Sequence, residues 1–334
     1  MRETFLSVQN QTYLNIEIIA VDDGSTDSTA QIIEKTACTD RRIRVFRQTN
    51  KGVAEARNRG IAESRGELIA PIDADDVWDP TNLALQVEAL QSNGPRAGVS
   101  YAWFLTINEN SVFTGLGPET RITCRRSVWR AQMRGNFIGN ASSTVMRREA
   151  VEEVGGYDPS LRARGAEGCE DQALYTRLAE TWDFVAVPRY LIAYRRHPWC
   201  MSCDEERMTH SQLLVLADLR ERYKSLPNYW YGRAIADVLE GSLTNALRDG
   251  DWRKAAMILE GSRKRSSWAF FRLTGLRLPI RAGQFAFRRL TARKAPSKPA
   301  AMVVDQFWSK RNARGDMRPL QSESLAAPLS STEI

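Results

Sequence analysis

Carboxylates gathered at a few points give this sequence its chemical character. Asp22 and Asp23 follow the apolar run at 16–21, Asp73, Asp75 and Asp76 follow another at 68–72, and Glu170 with Asp171 open an amphipathic segment. Three carboxylates within four residues repel one another unless a cation offsets them. Oxygen ligands of this kind suit Mg2+ or Mn2+, ions that commonly also take phosphate oxygens. In the stretch VDDGSTDST, Gly24 permits a sharp turn, and Ser25 or Asp27 can cap a following helix. Each signal has a plainer counterpart: a helix cap at 22–27, a solvated acidic turn at 73–76, and first-turn acids at 170–171 favoured by the helix dipole. His197 is one of two histidines, and a lone histidine is either a structural ring or a metal ligand.

Such groups act together only if a scaffold brings strand ends to one edge. From Met1 to about Trp78 the pattern alternates, with a helix ending near Gln9, a strand at 16–21, a helix at 28–36, a strand at 43–47, a helix at 53–64 and a strand at 68–72. Strands separated by helices predict parallel βαβ units, and strands buried on both faces account for the near-continuous runs IEIIAV and ELIAPI. The fold class expected is therefore α/β, a mostly parallel sheet with flanking helices. Ligands in such sheets bind at the carboxyl ends of the strands, where Asp22, Asp23, Asp73 and Asp75 stand. Asp79 and Pro80 start a helix at 81–92, and further strands at 99–107, 141–146 and 184–188 enclose a helix at 170–180.

Five segments, in order, resemble the inverting glycosyltransferases of family 2 with the GT-A fold: VDDGSTDST, NKGVAEARNRGIAESRGELIAPIDADDVWDP, VMRREAVEEVGGYDPSL, CEDQALYTRLA and YRRHPWCMS. The resemblance covers about residues 3–205. It implies that Asp22 and Asp23 read the nucleotide, that Arg57 binds the donor, and that Asp73 and Asp75 form the DxD motif. Asp75 is then the direct ligand of Mn2+ or Mg2+, with Asp73 facing ribose or metal and His197 completing the sphere. Asp171 is the implied general base, with Glu170 its neighbour. The implied donor is a nucleotide-diphosphate sugar, taken as UDP-linked, and the acceptor a glycan or a lipid-linked glycan. A divalent ion would offset charge on the departing diphosphate, and one carboxylate base in a single displacement would invert the anomeric centre. The chain departs from the family in lacking the apolar strand that precedes its first helix, and a start lying upstream is the expectation preferred. Two alternatives stay open: a non-catalytic relative that binds nucleotide sugar or glycan, and a nucleotidyltransferase.

Bulk composition sets the outer limits. With 43% hydrophobic and 26% charged residues, 334 residues can form a sizeable core. No apolar stretch approaches a membrane span and the first residues lack a secretory signal, so a cytoplasmic location is expected, with peripheral attachment at the inner membrane face open. Five scattered cysteines make a poor disulfide framework, and Cys200 with Cys203 is read as structural or incidental. Residues 1–204 are expected to be catalytic, 211–294 a helical basic extension and 295–334 a disordered tail. Residues 263–294 carry ten Lys or Arg and no acid, interleaved with Trp268, Phe270, Phe271, Phe285 and Phe287. That segment suits packing on the catalytic domain or contact with an anionic membrane, with nucleic acid ranked last.

Overall fold

The computed structural model describes residues 1–277 together with Val304 and Trp308. After helix α1 (Arg2–Gln9), the apolar strand β1 (Ile18–Asp22) pairs in parallel with β2 (Ile43–Arg47), and α2 (Thr29–Ala37) makes the crossover that a parallel pair requires. Helix α3 (Val53–Glu63) packs on β1. A second sheet contains β3 (Leu68–Ile69), β4 (Val77–Trp78), β5 (Ala97–Ile107), β6 (Phe113–Leu116), β7 (Thr144–Arg147) and β8 (Asp183–Arg195) in the order β3-β7-β5-β8-β4, with β6 on β5. Its centre is β5, where Val99, Tyr101, Trp103, Leu105 and Ile107 on one face and Ala102 on the other are all buried, which requires cover on both sides.

The α/β class stands, but the strand directions are mixed. Only β1·β2 and β5·β8 are parallel among the described pairs, whereas β3·β7, β5·β7, β5·β6 and β4·β8 are antiparallel. The physical reason lies in the links: the short stretch 108–112 turns β5 back on itself as β6, and β7 enters beside β5 from the opposite end. β1 and β3 stand in separate sheets. Their starts are tied by Glu17, whose carboxylate accepts from the backbone N–H of Arg65 and, at 2.9 Å, of Gly66.

Helices α4 (Asn82–Ser92), α5 (Arg125–Arg134), α6 (Arg148–Glu153), α7 (Ser160–Ala163) and α8 (Glu170–Thr181) flank the sheet. The extension begins at Glu205, earlier than expected, with α9 (Glu205–Arg222), α10 (Asn228–Asp249), α11 (Trp252–Arg265) and α12 (Ser267–Phe271). Asp204, Asp251 and Ser266 cap three of these helices by accepting from Arg207, Lys254 and Ala269 N–H groups. The extension is not a separate body, because Leu216, Leu239 and Leu243 share one core with Met133 of α5 and Leu161 of α7. Asp237 of α10 also pairs with Arg134 at 2.7 Å and with Arg272 at 3.0 Å. Trp252, Met257 and Phe271 remain exposed on the extension. Phe285, Phe287 and the rest of 278–294 lie outside the described residues. No helix among the described residues is long and apolar enough to cross a membrane.

Within 295–334, the stretch expected to be largely disordered, two residues are described. Val304 and Trp308 are buried against Val77, Trp103, Leu105, Tyr190 and Ala193, and the Trp308 indole N–H donates to the Tyr190 carbonyl at 2.9 Å. An indole is a large apolar surface with one polar handle, and both are satisfied here. The other residues of that stretch lie outside the described ones.

Candidate active site

The three clustered carboxylates are each answered by a different partner. Asp76, fully buried, accepts from the Ser142 hydroxyl at 2.6 Å and from the Arg195 N–H at 2.9 Å. Burial, then the neighbouring charges of Asp73 and Asp75, push its carboxyl well above the usual range. It is a structural pin: the same Ser142 hydroxyl accepts from Asp73 N–H, and Arg195 donates through Nε to the Asp75 carbonyl at 2.7 Å. Asp73 faces Arg57 of α3, whose guanidinium donates to it at 2.6 Å while lying over the Tyr157 ring at 5.2 Å. Burial alone would lower the Arg57 pKa, but the fields of Asp73, Tyr157 and Asp171 outweigh it and hold the cation above its ordinary value.

Asp75 is left facing His197, whose Nε2 is 3.4 Å from Oδ2, long for a hydrogen bond. The other ring nitrogen, Nδ1, is buried without a partner. Burial first, and then Asp73, raise the Asp75 carboxyl. A carboxylate and an imidazole facing each other with unspent lone pairs fit two ligands of a divalent cation, and an imidazole suits Mn2+ better than Mg2+. Among the described residues no group of three His, Cys, Asp or Glu side chains is set to hold a metal by itself. Further ligands would have to be water or phosphate oxygen.

The base candidate stands at the start of α8. Asp171 is 9% exposed and its carboxylate accepts from Gln172 N–H at 2.8 Å and from the Asn136 side-chain amide at 2.9 Å. The Asn136 oxygen accepts from the N–H groups of Ile138 and Gly139, so its amide nitrogen must face Asp171. Desolvation pushes the Asp171 carboxyl up to about 7, against the opposing pull of Arg57. Glu170 is raised in the same direction by burial and folds back to accept from Gly168 N–H at 2.9 Å.

Asp22 and Asp23 sit at the end of β1 as expected, and both are engaged within the protein. Asp22 is buried, accepts from Ser25 N–H at 2.8 Å and lies 3.2 Å from Arg47. Asp23 accepts from Gln48, Lys51 N–H and Gly52 N–H, each within 2.9 Å, and so ties the strand to the loop before α3. The structure thus joins Arg57 with Asp73 and His197 with Asp75, and the field of Arg57 links Asp171 to Asp73. Sequence reasoning missed Asn136, Ser142, Arg195 and Tyr157. Only Tyr157 and Arg195 lay within the quoted motifs, and none of the four carries a spacing that announces its role. The Cys200–Cys203 pair beyond His197 is joined as a disulfide, while Cys38, Cys124 and Cys169 are free.

With this geometry in hand, the family model described as "Glycosyl transferase family 2" matches residues 1–155. Residues 1–155 are thus similar to glycosyl transferase family 2. The chain is 48% identical over 201 residues to the putative glycosyltransferase EpsH of Bacillus subtilis, covering 59% of this chain and 57% of that protein. It is 49% identical over 71 residues to glycosyltransferase GlyG of Streptococcus pneumoniae, covering 21% of this chain and 24% of GlyG. It is also 38% identical over 114 residues to the Escherichia coli protein named UDP-Glc:alpha-D-GlcNAc-diphosphoundecaprenol beta-1,3-glucosyltransferase WfaP, covering 34% of this chain and 43% of WfaP. The matches thus span about a quarter to just over half of those relatives' lengths. The S. aureus TarS 1–349 structure in complex with UDP-GlcNAc superposes with a TM-score of 0.54 at 15% identity, covering 79% of this chain and 88% of that one. That likeness concerns the fold alone, which is the GT-A arrangement.

Proposed function

We propose that this chain transfers a sugar from a nucleotide-diphosphate donor, taken as UDP-linked, to a hydroxyl of a glycan or lipid-linked acceptor. The observation that carries the reading is Asp171, a buried carboxyl poised near neutrality and electrostatically joined through Arg57 to Asp73, the first carboxylate of the acidic turn. An attacking hydroxyl must lose its proton as it reaches the anomeric carbon, and a base with pKa near the working pH is best placed to take it. Gln172 N–H and Asn136 each occupy one carboxylate oxygen of Asp171, leaving lone pairs for that proton. A single displacement with one base inverts the anomeric configuration. Arg57 holds Asp73 in place, and Arg195 with Asp76 and Ser142 fixes the turn that presents Asp75. Asp75 and His197 would hold Mn2+ or Mg2+, which would there supply charge compensation for the departing diphosphate. Asp22 and Asp23 shape the turn beside the nucleotide, and Glu170 orders the loop before the base.

The names of the relatives favour the donor and acceptor classes: WfaP is named for a UDP-glucose donor and a lipid-diphosphate acceptor, and the TarS structure holds UDP-GlcNAc. A lipid-linked acceptor also accords with the exposed Trp252, Met257 and Phe271 in a stretch that carries Arg263, Lys264 and Arg265, a composition suited to an anionic membrane surface. Calorimetry of UDP binding, with and without Mn2+, tests the donor site in the whole chain. Wild-type protein is expected to bind UDP only with the metal, and Asp75→Asn to lose that binding. Equal binding by the variant, or binding indifferent to metal, would remove Asp75 from the role given to it.

A further inference from the structure

Trp199 is the most exposed large apolar side chain among the described residues, at 86%, and it stands two residues from His197. An indole left in water at a functional edge is a surface waiting for a partner. Its ring is tilted 39° to that of His197 with centroids 6.4 Å apart, and His197 in turn faces Asp75 at 3.4 Å. The segment carrying it is held rather than loose. Cys200 N–H donates to the His197 carbonyl at 2.9 Å, and Cys200 is bonded to Cys203 in a disulfide that closes the turn. Ser202 accepts from the Tyr194 hydroxyl at 2.9 Å.

The same turn reaches the other side of the site. Gly168, two residues before Glu170, has φ +116°, and a Cβ there would lie 3.3 Å from the Met201 sulfur and 2.6 Å from that of Met208. The loop with Trp199 therefore bridges the Asp75–His197 edge and the start of α8, the gap across which the acceptor must enter if Asp171 is the base.

Resting on that reading of the reaction, we propose that Trp199 is the platform on which a pyranose ring of the acceptor lies. A pyranose offers one face of C–H groups ringed by hydroxyls. The face of an indole, negative at its centre, attracts those polarised C–H groups and removes apolar surface from water. Because the turn that carries the ring is already ordered, its backbone loses little freedom when the sugar binds, which favours affinity. The hydroxyl rim then remains free to direct one oxygen toward Asp171.

The test uses whole protein labelled with 5-fluorotryptophan, with the Trp199 fluorine line assigned by its absence from Trp199→Phe. Methyl β-D-glucopyranoside and methyl N-acetyl-α-D-glucosaminide are titrated in turn, with UDP and Mn2+ present. A saturable shift of the Trp199 line with one of them is expected. No shift with either, or a shift produced by UDP alone, would overturn the proposal. The UDP titration in the same samples reports separately on the donor site. In turnover with a sugar that binds, Trp199→Ala is expected to raise the acceptor KM about tenfold, or about 1.4 kcal/mol, and to leave UDP affinity unchanged. Trp199→Tyr keeps an aromatic face and is expected to restore most of the loss. Equal KM in all three proteins would also overturn it.

Discussion

Replacing Asp171 by Asn removes the base and, by the same physics, removes a burden on folding. A carboxyl moved from 3.8 to about 7 by burial binds its proton more tightly in the folded chain than in the unfolded one. The stability contributed by the neutral form is fully present below the unfolded value and is lost as pH rises through about 7. At about 1.4 kcal/mol per pH unit, the wild-type protein should lose roughly 2–3 kcal/mol from this group between about pH 5 and about pH 8. Asp171→Asn carries no such titration. Its amide cannot satisfy two donors at once, since both Gln172 N–H and Asn136 point at the carboxylate, and that conflict costs about 1–3 kcal/mol at every pH. Urea unfolding of both proteins at the two pH values gives a double difference in which other titrating groups cancel. The variant should gain on wild type by roughly 2–3 kcal/mol as pH is raised, while turnover falls by about 100-fold or more. Parallel stability profiles would refute the claim that Asp171 is a buried carboxyl held near neutrality.

Two further outcomes follow from single contacts. Asn136→Ala removes a donor to the charged form of Asp171, so the midpoint of the pH–rate profile should move upward by about one pH unit, with the plateau at high pH little changed. An unmoved midpoint with a lower plateau would mean that Asn136 serves only the fold. Trp308→Ala should cost about 3 kcal/mol in urea unfolding, because the indole is 6% exposed and its N–H is bonded to Tyr190. A loss below about 1 kcal/mol would show that Val304 and Trp308 do not anchor the C-terminal stretch.

Where local pattern decides structure, the sequence was legible. The strand at 43–47 and the helix from Val53 follow from residues that satisfy their own periodicity, and both stand where the pattern put them. The acidic strand ends were legible for the same reason, since a carboxylate closing an apolar run is a local feature. How the charge is shared at 73–76 was not, because the partners come from remote chain: Ser142 is 66 residues from Asp76, and Arg195 is 119 away. Asn136 reaches Asp171 across 35 residues with no motif to mark it. Strand direction escaped because it depends on links rather than on strand composition. The two-residue strands Leu68–Ile69 and Val77–Trp78 are too short to carry a period, and the docking of Trp308 is a tertiary event within polar, Pro-rich sequence.

The central claim is glycosyl transfer with Asp171 as base, and product analysis tests it most directly. Whole protein with Mn2+ would be incubated with UDP-glucose and UDP-N-acetylglucosamine and with lipid-diphosphate-linked N-acetylglucosamine as acceptor, alongside Asp171→Asn. Free UDP and a glycosylated acceptor in equal amounts are expected from wild type, and neither from the variant. Release of pyrophosphate, or UDP release and product formation undiminished by Asp171→Asn, would contradict it.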